Sequence, residues 1–152
     1  MDDTVTVTGE AREVALAETQ SVQAMMGEGD KRARMNDLVA ALDEGEVDGE
    51  EARLLESVLE LGLQVGRIRA YYGPGGEQAA LATLRRLPRG RLRSESAREV
   101  SEALQTFSGR TLDSIRIAAV APGAFTLSVR SGGVEASIRL DTTGARLVSL
   151  GT

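Results

Sequence analysis

Hydrophobic residues recur every three or four positions between residues 50 and 72, which is the spacing of one face of an α-helix. Further leucines widen this stripe, and so broad a hydrophobic face suits a helix that packs on more than one side. Two glycines within the stripe would let another backbone approach closely. The pattern therefore predicts one central helix over residues 50–72. It also makes that helix a candidate surface for self-association, formed by Leu54, Val58, Leu61, Gly62, Val65, Gly66 and Ile68.

Weaker helical spacing elsewhere predicts two helices before the central one and two shorter helices after it. These four helices cover residues 10–26, 30–42, 77–87 and 96–107. Asp48 with Glu51, and Ser96 with Glu99, have the spacing of capping boxes, in which the two side chains bond free backbone N–H groups at a helix start. The Gly-Pro pair after Tyr72 ends the central helix, because proline cannot continue the helical hydrogen bonding.

The hydrophobic period changes to two after residue 112, which predicts an antiparallel meander of three or four strands. Placing Gly132 and Gly133 in a two-residue turn fixes the register of its central hairpin. The predicted cross-strand pairs are Phe125 with Leu140, Leu127 with Ile138, Val129 with Ala136, and Arg130 with Glu135. A slip of one residue would destroy both the hydrophobic matches and the charged pair, so the register is strongly specified.

A short strand is predicted near the N-terminus, where residues 4–8 alternate between Thr and Val. A single strand must pair with another, so we expect it to join the C-terminal sheet or a neighbouring chain. The predicted fold class is α+β. It comprises a mainly helical segment over residues 1–87, an Arg-rich linker over 88–95, and a helix with the antiparallel meander over 96–152.

The 152 residues include no Cys and no His, which removes disulfides, thiolate nucleophiles, the usual zinc sites and histidine acid–base catalysis. Residues 43–51 resemble the second half of an EF-hand calcium loop, which would place the first and third ligands at Ala40 and Leu42. Neither of these side chains carries an oxygen. We therefore expect no metal site, no cofactor and no enzyme activity.

Charge is unevenly distributed along the chain. Residues 1–60 hold sixteen acidic and five basic residues, a net charge of −11, whereas residues 61–152 hold seven acidic and thirteen basic residues, a net charge of +6. The basic residues include a cluster of arginines, whose guanidinium groups suit two-point contacts with carboxylate or phosphate. This cluster is a candidate site for an anion or an acidic partner, and it consists of Arg85, Arg86, Arg89, Arg91 and Arg93.

These features predict a non-enzymatic interaction or scaffold protein. We expect it to self-associate, as a dimer, through the central helix and to present its β-sheet or its arginine cluster to an acidic protein partner. The alternative is a nucleic-acid-associated protein that uses the Arg85–Arg98 segment. The net charge of −5 and the lack of interleaved aromatic residues count against this alternative.

The expected location is the cytoplasm, with no membrane contact. The N-terminus is acidic and lacks the pattern of a signal peptide, and no stretch reaches the roughly 20 hydrophobic residues needed to cross a bilayer. All basic residues except Lys31 are arginine, a bias that indicates a GC-rich bacterial or archaeal genome.

Overall fold

A computed structural model describes residues 3–152 of the chain, so the first two residues of the predicted 1–87 segment lie outside it. The described residues form five helices followed by a four-stranded antiparallel sheet, which confirms the predicted α+β class. The helices and strands are β1 Val5–Thr6, α1 Gly9–Met25, α2 Asp30–Glu44, β2 Glu46–Val47, α3 Gly49–Gln64, α4 Arg67–Arg86, α5 Pro88–Gln105, β3 Ser114–Ala121, β4 Ala124–Ser131, β5 Val134–Asp141 and β6 Gly144–Gly151. The chain divides after Gly90 into two compact units, called here the helical unit and the sheet unit.

The core of the helical unit is built from α1 to α4, with α1 packed against each of the other three helices. Its large, fully buried side chains include Met35, Leu38, Leu55, Leu59 and Ile68. These residues recur at helical spacing on their own helices, so each helix turns one hydrophobic face inward. The low aromatic content of the sequence is reflected in this core of aliphatic side chains and methionine.

The N-terminal strand pairs inside the helical unit, so the predicted pairing with the C-terminal sheet is wrong. β1 runs antiparallel to β2, with Val5 opposite Val47. Gly45 follows α2 in a left-handed conformation, with φ of 86°, and its carbonyl accepts the N–H of Val7 at 2.8 Å. This turn brings β2 beside β1 and buries the three valines against the helical core.

The predicted single helix over residues 50–72 is wrong, because the chain turns sharply after Gln64. Gly66 has φ of 73°, and its N–H bonds the carbonyl of Leu63, which closes the end of α3. The chain then restarts as α4 and folds back, so that a methyl group placed on Gly62 would lie only 2.8 Å from Ile68 Cδ1. The helical spacing of hydrophobic residues continues from α3 into α4, so the sequence pattern did not indicate this turn.

The predicted interruption after Tyr72 is confirmed by a break in α4 at Gly73, where φ is 70°. The second part of α4 begins at Pro74, earlier than the predicted start at residue 77. The predicted linker over residues 88–95 is helical, because Pro88 opens α5, and proline at the first helical position loses no hydrogen bond. Ser96 is therefore inside α5 and caps nothing. Asp48 does precede α3, although its side chain makes no capping hydrogen bond.

The sheet unit confirms the predicted register of the central hairpin. Strands β3 to β6 lie side by side in chain order, and the four predicted pairs between β4 and β5 all form. Arg130 Nη2 donates to Glu135 Oε2 at 2.8 Å on the polar face. On the other face Phe107, Val129 and Ala136 are buried together, so a small separate core supports the sheet.

Candidate functional site

An apolar groove of about 300 Å³ lies between α1, α2 and α3 of the helical unit. Its hydrophobic lining consists of Val22, Met26, Met35, Leu54, Val58 and Leu61. Lys31, Arg34 and Ser57 supply its polar groups. The groove therefore offers hydrophobic contact area with two cations beside it, and no carboxylate or tyrosine is part of its lining.

The unusual width of the hydrophobic face of α3 is explained by this groove. Leu55 and Leu59 point into the core and are fully buried. Leu54, Val58 and Leu61 lie on an adjacent strip of the same helix and line the groove, although Val58 is itself buried against the core and Leu54 is partly buried. Leu61 keeps 51% of its surface exposed, and Val65, one turn further on, keeps 65%. α3 thus uses one side to hold the fold and another to leave a hydrophobic surface open.

The basic groups beside the groove come from the first two turns of α2. Arg34 Nη1 lies 3.2 Å from Glu50 Oε1, and both side chains are exposed. Arg32 Nη1 donates to the carbonyl of Met26 at 3.2 Å. Lys31 forms no ion pair with any residue of the described range 3–152. Residues 1–90 hold seventeen acidic and ten basic residues, a net charge of −7, so this basic segment is a local exception in an acidic unit.

The candidate self-association residues do not form one surface. Leu54, Val58 and Leu61 meet at the groove, whereas Gly62 and Ile68 are buried against each other in the core. Val65 and Gly66 form the turn that ends α3. Sequence reasoning missed the contributions of α1 and α2 to the groove. The available signal was the run of bases at residues 31–34 within the acidic half of the chain.

Arg86 and Arg89 of the arginine cluster are engaged inside the helical unit. Arg89 Nε lies 3.0 Å from Glu56 Oε2, and the N–H of Gly90 donates to Glu56 Oε1 at 2.8 Å. Glu56 is fully buried, so these two contacts neutralise a carboxylate within the fold. Arg86 Nη1 donates to the carbonyl of Thr6 at 2.8 Å. These two guanidinium groups stabilise the fold directly.

The other members of the cluster are distributed over both units. Arg85 is exposed in the last turn of α4, while Arg91 and Arg93 belong to the sheet unit because the chain divides after Gly90. The sequence did hold one sign of the internal role of Arg89. Glu56 lies among the hydrophobic residues of α3, a position where a carboxylate needs a cationic or N–H partner.

A second buried carboxylate connects α1 to α4. Glu18 is almost fully buried, and its Oε1 accepts a hydrogen bond from the hydroxyl of Tyr72 at 3.1 Å. Arg67 Nε lies 3.3 Å from the same oxygen. Burial raises the pKa of Tyr72 above its ordinary value, and the hydrogen bond to Glu18 raises it further. Glu18 is therefore held by two partners and acts as a contact between helices.

The sheet unit has an exposed hydrophobic edge. Within residues 3–152, β3 is an outer strand of the sheet. Ile115 and Ile117 lie opposite Val129 and Leu127 of β4, and they are 61% and 63% exposed. The apolar face that Phe107 covers at its centre thus continues to an uncovered edge.

Comparison with known proteins found no matching family model, no matching curated protein and no matching solved structure. Within the part of the chain that the structure describes, no group of three or more acidic side chains is placed to hold a metal ion. The helices of that part are also too short or too polar to span a membrane.

Proposed function

We propose that the protein is a non-enzymatic interaction protein, in which the groove between α1, α2 and α3 docks a hydrophobic segment of a protein partner. The exposure of Leu61 within an otherwise well-packed helix carries this proposal. Fully burying a leucine side chain contributes about 1.5–3 kcal/mol, so a half-exposed leucine leaves a substantial part of that free energy for binding. Its lining also includes Met26, Met35 and Arg34, and methionine and arginine are residue types enriched at protein interfaces.

A peptide-display selection tests this function without a known partner. A library of short peptides is selected on the wild-type protein, and the enriched peptides are then measured on Leu61→Asp. Binding should be lost on this variant, because a carboxylate in the groove would have to be desolvated beside the peptide. Leu92→Asp is the matched control, since Leu92 is an exposed leucine of the sheet unit. Enriched peptides that bind Leu61→Asp as tightly as wild type would refute the proposal.

Self-association as a dimer is a second candidate function, and the exposed edge of β3 favours it. An outer strand presents unpaired backbone groups to which a second copy can add its own β3. A twofold axis at Ile117 would place Arg116 of each copy opposite Ala118 of the other, which avoids a like-charge pair. This pairing is antiparallel, as is the pairing of β3 with β4.

Light-scattering mass measurement tests the dimer. The expected mass is twice 16.1 kDa for the wild type and 16.1 kDa for Ile117→Lys. Val148→Lys is the control, because Val148 is equally exposed on the opposite outer strand β6. A wild-type protein that remains monomeric at high concentration would contradict self-association through this edge.

A further inference from the structure

We infer that the occupant of the groove is an amphipathic helix of a protein partner, with acidic residues beside its hydrophobic face. This inference rests on the proposed function and adds the conformation and the charge of the partner. Three features support it: the walls of the groove, its length, and the basic residues at its side.

The walls of the groove favour a helical ligand over an extended one. They are formed by three α-helices, whose backbone N–H and C=O groups are largely bonded within each helix. An extended peptide would therefore bury backbone groups without finding partners for them. A helix satisfies its own backbone groups and needs to present only side chains, as in other helix-in-groove complexes.

The length of the groove matches two turns of a partner helix. Leu54 and Leu61 line it seven residues apart on α3, a distance of roughly 10 Å at 1.5 Å per residue. Hydrophobic side chains at positions i, i+4 and i+7 of a partner helix cover the same distance. The exposed Val65, which directly follows α3, adds a further hydrophobic side chain beyond Leu61, which a partner helix can cover and a small amphiphile would leave in water. Met26 and Met35 adapt to side chains of different shape, because the thioether is flexible and polarisable.

The charge of the groove favours acidic residues on the partner. Lys31 and Arg34 are both part of the lining. The ion pair of Arg34 with Glu50 joins two exposed side chains, and such pairs contribute about 0–1 kcal/mol, so a carboxylate of the partner can compete for it. The remainder of this acidic unit would repel such a partner, so the basic side of the groove fixes where the acidic residues bind.

Three synthetic peptides test the inference on the whole protein. Two of the peptides carry leucines at positions i, i+4 and i+7, flanked by glutamates in one and by lysines in the other. The third peptide has the composition of the glutamate peptide in scrambled order. Binding is measured by fluorescence anisotropy at low and high salt, and helix formation by far-UV circular dichroism. The ordered glutamate peptide should bind about tenfold or more tightly than the lysine peptide, become helical on binding, and weaken with salt.

Variants then locate the charge effect. Lys31→Glu should weaken binding of the glutamate peptide by about tenfold and strengthen binding of the lysine peptide. Arg110→Glu makes an equal charge change in the sheet unit and should alter the affinity for either peptide by less than about twofold. If the two ordered peptides bind equally well and neither binds Leu61→Asp, the inference that the partner is acidic is overturned. The proposed docking function of the groove would then still stand. Equal binding of the scrambled peptide would overturn the amphipathic helix. A groove that binds dodecanoate but neither ordered peptide would overturn the inference and the proposed function together.

Discussion

Removing the side chain of Arg89 should destabilise the protein, because this arginine belongs to the fold. Glu56 is fully buried, and its carboxylate is held by Arg89 Nε at 3.0 Å and by the Gly90 N–H at 2.8 Å. Arg89 Nη2 also lies 3.2 Å from Ser57 Oγ and 3.5 Å from Glu60 Oε2. Arg89→Ala would leave the Glu56 carboxylate buried with a single hydrogen-bond donor.

The expected loss follows from the burial of the two partners. Breaking a fully buried ion pair by removing one partner costs about 3–5 kcal/mol. The Arg89 side chain is 49% exposed, so water can reach part of the vacated space and reduce this cost. We expect Arg89→Ala to lower the free energy of unfolding by about 2–3 kcal/mol. Arg89→Lys keeps the charge but loses the planar guanidinium group, and it should lower the free energy of unfolding by about 1 kcal/mol.

Urea denaturation followed by far-UV circular dichroism measures these differences as shifts of the unfolding midpoint. Arg85→Ala is the matched control, since Arg85 is an exposed arginine on α4 and its removal should change stability by less than about 0.5 kcal/mol. The double variant Glu56→Gln with Arg89→Ala should lose less than the sum of the single losses, because no buried charge remains. Equal midpoints for Arg89→Ala and Arg85→Ala would refute the reasoning.

Two further predictions concern the turn after α3 and the contact between α1 and α4. Gly66→Ala should cost about 1 kcal/mol, because φ of 73° strains a residue with a Cβ, and an unchanged urea midpoint would contradict the left-handed turn. Tyr72 should ionise at a higher pH than free tyrosine, since burial and then the hydrogen bond to Glu18 raise its pKa. The stability that this shift contributes is complete below the ordinary tyrosine pKa and is lost as pH rises through the raised folded pKa. Ultraviolet absorbance titration of Tyr71→Phe, in which Tyr72 is the remaining tyrosine, measures this pKa. A midpoint at or below that of free tyrosine would contradict the buried, hydrogen-bonded environment of Tyr72.

The helix-then-sheet order and the register of the central hairpin both follow from local patterns in the sequence. Gly132 and Gly133 both adopt positive φ, and the residues that pair across β4 and β5 are close in the chain. The alternation of side chains and the turn therefore constrain the same few residues. For this reason the cross-strand pair of Arg130 with Glu135 could be predicted from the sequence.

The candidate site could be predicted only in part. The pattern of α3 identified Leu54, Val58 and Leu61 as hydrophobic positions with more surface than a helix needs for packing in one direction. It could not separate the strip that faces the core from the strip that lines the groove. That division depends on where α1 and α2 lie against α3, which the period of a single helix does not contain.

The position of the break in the central stripe and the partners of distant polar groups depend on tertiary packing. A glycine inside a helix and a glycine that ends one look the same in a hydrophobic pattern, and Gly66 ends α3 where the chain folds back to pack Ile68 on Gly62. Arg89 finds Glu56 across 33 residues of sequence, and Val5 pairs with Val47. Such contacts join residues that are far apart in the sequence, so they depend on how whole helices pack and on which loops close. Local spacing along the chain does not contain this information.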